Sequence, residues 1–77
     1  MVYGILPLNA LYKIIKEEGA DRISENAVAE LKFILEKRIK EIARISILIA
    51  SNAGRRTIME DDVKYAIEQV EGEYNGL

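Results

Sequence analysis

From Glu25 to about Ser51 the sequence reads ENAVAELKFILEKRIKEIARISILIAS, with no glycine and no proline. The run is rich in Ala, Leu, Ile, Glu and Lys, the residues that cost least in a helix. A helix over this stretch is roughly 40 Å long at 1.5 Å per residue. That is long for a chain of 77 residues. The helix must therefore form the axis of the fold, and everything else must be laid against it.

The flanks predict two shorter helices. Pro7 suits the first turn of a helix, where a missing N–H costs nothing. Leu8, Leu11, Ile14 and Ile15 then recur at helical spacing. Gly19 reads as the C′ cap, which gives a first helix over about 7–18. GADRIS is a short connection in which Ser24 caps the long helix and Glu25 complements its dipole. Gly54 closes the long helix. NAGRRTIM is a second connection, and its Thr57–Ile58 pair favours extended backbone. Glu60, Asp61 and Asp62 mark the start of a third helix, with an apolar stripe of Val63, Ala66, Ile67 and Val70. Gly72 is expected to end it and the tail GEYNGL to fray. The expectation is an all-α chain, a single domain over 1–77 with its core at about 6–71.

A domain this small needs help from disulfides, a metal or a partner. The chain has no cysteine and no histidine, which excludes disulfides and the commonest zinc ligands and general base. Oligomerisation remains. One apolar stripe of the long helix holds Val28, Leu31, Leu35, Ile42, Ile45 and Ile49, and another holds Ile34, Ile39, Ala43, Ile47 and Ala50. Over 45–50, ISILIA, the helix is apolar almost all round, a pattern of burial on several sides. Two short helices cannot cover it, and a second copy crossing it can; the alternative is a monomeric three-helix bundle. Burying several Ile and Leu side chains in that way contributes tens of kcal/mol, at roughly 25 cal/mol per Å2, before ordering costs.

The net charge is −2, which at first sight argues against a polyanionic ligand. Residues 1–59 carry ten Lys/Arg against seven Asp/Glu, a balance of +3. Residues 60–77 carry one Lys against six acidic residues, a balance of −5. The acidic excess therefore sits in the third helix and tail, and the rest is free to present a basic surface. No run of apolar residues is long enough to span a bilayer. The opening MVYGILPLNALYK lacks the basic region and cleavage site of a secretory signal, so an intracellular protein is expected. No glycine-rich phosphate loop and no acid–base constellation is present, so no enzyme, cofactor, metal or small-molecule substrate is expected. Tyr3, Tyr12, Tyr65 and Tyr74 show no stacking pattern for single strands.

Short helix, short loop, long helix, short loop, short helix is the order of the histone fold. LPLNALYKIIKEEGADRIS resembles the opening of archaeal histones, with its Leu-Pro start, Ile-Ile-Lys near the end of the first helix and Gly-Ala-acidic-Arg-hydrophobic-Ser in the first loop. NAGRRTI, followed by an acidic pair, a hydrophobic residue and an alanine, resembles their second loop and third helix. The resemblance covers residues 6–70 without a gap, and the second-loop motif is its more specific part. It implies a head-to-tail handshake dimer that binds double-stranded DNA through its backbone. Carried over residue by residue, Arg22 enters the minor groove from loop 1, with Thr57 as its loop-2 companion. Lys13 lies near phosphate, Lys16 is an extra phosphate contact, and Arg56 is the basic contact of loop 2. Arg55 pairs inside the fold with Asp62. Cations at the backbone and arginine in a narrowed minor groove are what wrapping DNA without reading its sequence requires.

The chain also departs from the family. Asn52 stands where a histidine is usual, Met59 replaces a basic residue, and Ala10 stands where a second proline is common. Ile45 and Leu48 occupy positions usually polar. A face formed by Ile45, Leu48, Ile49, Asn52 and Tyr65, with Asp62, is expected as an apolar contact between dimers, favouring a tetramer even without DNA, or a different stacking geometry. Arg38, between Leu35 and Ile42, is expected to pair with a glutamate of the partner chain or to reach the interface edge. The leading expectation is a homodimeric histone that compacts duplex DNA on the chromosome. Its alternative is a histone-fold assembly module with reduced DNA affinity, whose partner is a second histone or another protein. A regulator reading bases with a recognition helix is the least favoured, because the third helix is too acidic.

Overall fold

The computed structural model describes the backbone of residues 7–75 and the side chains of residues 7–72. Among the described residues it contains three helices and no strand: α1 (Leu8–Glu17), α2 (Glu25–Asn52) and α3 (Glu60–Asn75). None is long and apolar enough to cross a membrane. Pro7 stands just before α1 in extended backbone, with φ −70° and ψ 127°. It occupies the N-cap position, one residue outside the expected first turn.

Both ends of the first connection are closed by local hydrogen bonds. Gly19 has a φ of +110°, a region that costs a side-chain-bearing residue dearly. Its N–H donates to the Lys16 carbonyl (3.0 Å), and the Ala20 N–H donates to that of Ile15 (3.4 Å). Together these form a Schellman motif, which occupies two of the carbonyls orphaned at a helix end. Ser24 Oγ accepts the Ala27 N–H at 3.1 Å, the N-cap bond of α2. The end of α2 repeats the Schellman geometry. Gly54, at φ +76°, donates to the Ser51 carbonyl (2.9 Å), and the Arg55 N–H donates to that of Ala50 (2.8 Å).

The third helix does not stop at Gly72. It runs on to Asn75, which overturns the helix end expected there. Gly72 keeps negative φ, unlike Gly19 and Gly54. A single glycine inside a helix costs only about 1 kcal/mol against alanine and does not break it. The expected frayed tail falls partly on residues 76–77, outside the described residues, as does Tyr3.

The chain divides into two compact units, Met1–Lys37 and Arg38–Leu77, the boundary falling inside α2. In the first, Leu11 of α1 and Val28 of α2 are buried, Val28 to 1% exposure. Ile15 is half-buried, while Leu8 and Ile14 remain exposed. In the second, the buried side chains are Ser46 and Ala50 of α2 with Asp62, Ala66 and Val70 of α3. Val63 and Ile67 complete the apolar stripe of α3 at half burial.

Most of the long helix's apolar surface is left uncovered within the chain. Leu31, Phe33, Ile34, Leu35, Ile39, Ile47 and Leu48 are all exposed, Leu48 by 61%. Ile42, Ala43, Ile45 and Ile49 are only half-buried. A stable soluble chain rarely leaves such a surface to water.

Candidate nucleic-acid interface

Loop 2 is built around one carboxylate. Arg55 Nη1 donates to Asp62 Oδ2 at 2.7 Å and Arg55 Nη2 to Oδ1 at 2.9 Å, a two-pronged pair. The same Nη1 also donates to the Thr57 carbonyl (3.1 Å). Asp62 Oδ2 accepts a further bond, 2.7 Å, from the Met59 N–H. Met59 is the N-cap of α3 and Asp62 is three residues on. The carboxylate thus reaches back to the cap N–H, as the acidic member of a capping box does. Asp62 is only 3% exposed. The hydrogen bond from Arg55, then that from the Met59 N–H, holds its carboxyl down at about 2. The same bond raises Arg55.

This arrangement turns two side chains outward. Arg55 is half-buried because it faces Asp62, whereas Arg56 and Thr57 are exposed. Thr57 gives its carbonyl to Arg55, and its side chain is exposed. The acidic run 60–62 is divided in the same way. Asp62 is enclosed, Glu60 pairs with Lys64 at 2.8 Å on the surface, and Asp61 is exposed. Among the described residues no group of three or more acidic, histidine or cysteine side chains is gathered for a metal ion.

Loop 1 has no such ion pair. Lys13, Lys16 and Arg22 are all exposed. Lys16 Nζ donates to the Asp21 carbonyl at 3.2 Å, across the loop from the last turn of α1. Lys13, Lys16 and Arg22 belong to the first unit, and Arg55, Arg56, Thr57 and Asp62 to the second. The structure brings Arg55 and Asp62 together. It also adds three participants that sequence reasoning missed: the Met59 N–H, the Thr57 carbonyl and the Asp21 carbonyl. Only the first had a signal, the carboxylate three residues after a helix start.

The residues expected to join dimers do not share one environment. Leu48, Asn52 and Tyr65 are exposed, Ile45 and Ile49 half-buried, and Asp62 enclosed. Arg38 is half-buried and already has an interaction within the chain.

Comparison with known proteins bears on what these loops serve. Residues 5–67 match the family described as histone-like transcription factor (CBF/NF-Y) and archaeal histone. The chain is similar to one subunit of the archaeal histone HAN1 of Thermococcus zilligii, 33% identical over 63 residues, which span 82% of this chain and 94% of that protein. It is also similar to probable archaeal histone 3 of Methanocaldococcus jannaschii, 40% identical over 62 residues, which span 80% and 92%. The short–long–short order of helices is that of the histone fold. The chain belongs to the family of archaeal histones and histone-like transcription factors, structural DNA-binding proteins rather than enzymes.

Proposed function

We propose that this histone binds, wraps and compacts double-stranded DNA as a handshake dimer, with little preference for sequence. The observation that carries the reading is loop 2. The grip of Arg55 on Asp62 and on the Thr57 carbonyl leaves Arg56 and Thr57 outward on a backbone held in place. Lys13 and Arg22 supply the direct contacts of the other loop and first helix, with Lys16 beside Arg22. Cations on exposed loops suit phosphates and a narrowed minor groove, and neither loop provides a base-edge code. Preference among sequences then follows from DNA bendability. The exposed apolar face of α2 supports the dimer, a second copy being its occupant. The protein would work on the chromosome, inside the cell.

The test is binding of a mixed-sequence duplex several helical turns long across a salt series. The wild type is compared with Arg22→Ala combined with Arg56→Ala. Tight wild-type binding that weakens steeply with salt, with a shallower slope in the variant, is expected. Absence of wild-type binding at low salt would reject the reading.

A larger assembly would join dimers through Ile45, Leu48, Ile49, Asn52 and Tyr65. Asp62 has little left to give it. Three of the roughly four acceptor positions of a carboxylate are taken by Arg55 and the Met59 N–H. The contact therefore rests on apolar side chains. Sedimentation of Leu48→Lys should return dimers where the wild type gives tetramers, and equal sizes would remove the proposal.

The second reading is a histone-fold assembly module. The solvent face of α3 favours it, since Glu60, Asp61, Glu68 and Glu71 are all exposed against the single cation Lys64. A basic second histone would balance that charge, and the Thermococcus zilligii relative is by its name one subunit of a larger protein. Native mass measurement of the protein purified from its own cells separates one chain from two.

A further inference from the structure

We propose that Lys16 is a positioning residue for Arg22: it sets the orientation of the Asp21–Arg22 peptide, so that Arg22 meets the DNA backbone with a preset main chain. The proposal rests on the DNA-binding reading above. Lys16 lies in the last turn of α1, and its ammonium donates to the Asp21 carbonyl at 3.2 Å. That carbonyl belongs to the peptide whose nitrogen is the Arg22 N–H. A trans peptide is planar, with its C=O and N–H pointing in opposite directions, and the chain has no cis bond. Turning the Asp21 carbonyl toward Lys16 therefore turns the Arg22 N–H away from the end of α1.

The backbone hydrogen bonds of loop 1 lie at its ends, and Ile23 between them is half-buried. The Schellman bonds at Gly19 and Ala20 hold one side, and the Ser24 cap holds the other. Between them lie Asp21, Arg22 and Ile23, each with a peptide free to rotate unless something holds it. The Lys16 ammonium is the side-chain group that reaches this middle. A cation suits the place, since a charged donor makes a stronger bond to the carbonyl than a neutral one. The consequence is that Lys16 acts on binding through the shape of the loop, and not as one more phosphate contact.

The two roles separate by salt dependence. A lost phosphate contact lowers the slope of log affinity against log salt by roughly 0.9. Lys16→Gln and Lys16→Arg would be compared with the wild type on the same duplex, with amide spectra of the free proteins recorded alongside. A several-fold weaker Lys16→Gln with the slope nearly unchanged, displaced Asp21 and Arg22 amide signals in the free protein, and recovery of both in Lys16→Arg are the expected results. A slope reduced by a full contact, an unchanged affinity, or unmoved amide signals would each overturn it. Failure of the wild type to bind would overturn the DNA reading itself, and this proposal with it. Failure of Lys16→Gln alone to behave as stated touches only the proposal.

Discussion

The two loops begin alike and are held differently inside. Each follows a glycine in the left-handed region and the same pair of Schellman bonds. Loop 1 then relies on exposed bonds, the Ser24 cap and the reach of Lys16 to the Asp21 carbonyl. Loop 2 relies on an enclosed carboxylate that collects Arg55 twice and the Met59 N–H once, while Arg55 also holds the Thr57 carbonyl. Hydrogen bonds between charged partners are stronger than neutral ones, and those to Asp62 are partly shielded from competing water, whereas that to the Thr57 carbonyl is exposed. The difference teaches that loop 2 is secured by an ion pair around one enclosed carboxylate, and loop 1 by single exposed bonds.

The strongest attempt to break this contrast is Asp62→Ala. It leaves Arg55 and the Met59 N–H without their acceptor inside the fold, and should lower the thermal midpoint more than any other single substitution in either loop. If it costs no more than removal of the Ser24 cap, the contrast between the loops is wrong. Acid sharpens the same point. The folded Asp62 carboxyl lies at about 2, below its ordinary 3.8. Its contribution is therefore present above about pH 4 and is lost as the pH falls toward 2. Thermal midpoints of Asp62→Asn should lack this part of the acid decline. With no histidine and no cysteine in the chain, no such side chain titrates between pH 5 and 8.

The shared entry to the loops predicts equal effects. A Cβ added at Gly19 or Gly54 meets nothing within 4 Å, so the cost of alanine there is backbone strain alone. Gly19→Ala and Gly54→Ala should each lose about 1–2 kcal/mol in denaturant melts. A large inequality would mean that the two Schellman ends are not equivalent after all. Ser24→Ala is the smallest change, about 1 kcal/mol for a lost N-cap. Amide exchange should quicken at the start of α2 and leave loop 2 untouched.

The site was partly legible before the structure. Arg55 beside an acidic helix start invites an ion pair, and the geometry now puts its two prongs at 2.7 and 2.9 Å. The reach of Lys16 was not legible, because a long flexible side chain has many rotamers and only the folded loop selects one. Nor was the bond from Arg55 to the Thr57 carbonyl, since a peptide's orientation depends on the neighbour that bonds it.

What the sequence by itself determined are the features set within a few residues. The long helix follows from an unbroken run of helix formers. Its ends follow from Ser24 and Gly54, and that of α1 from Gly19, because capping is local chemistry between neighbours in the chain. Gly72 shows the limit of the same logic, since α3 passes through it to Asn75. A glycine ends a helix only where the chain turns left-handed. Tertiary structure alone decided which apolar residues of α2 are buried. Val28 and Ala50 are enclosed within the chain, while Leu35, Ile39 and Ile47, which share their apolar stripes, are not. The reason is that periodicity defines a face, but burial depends on what lies against it.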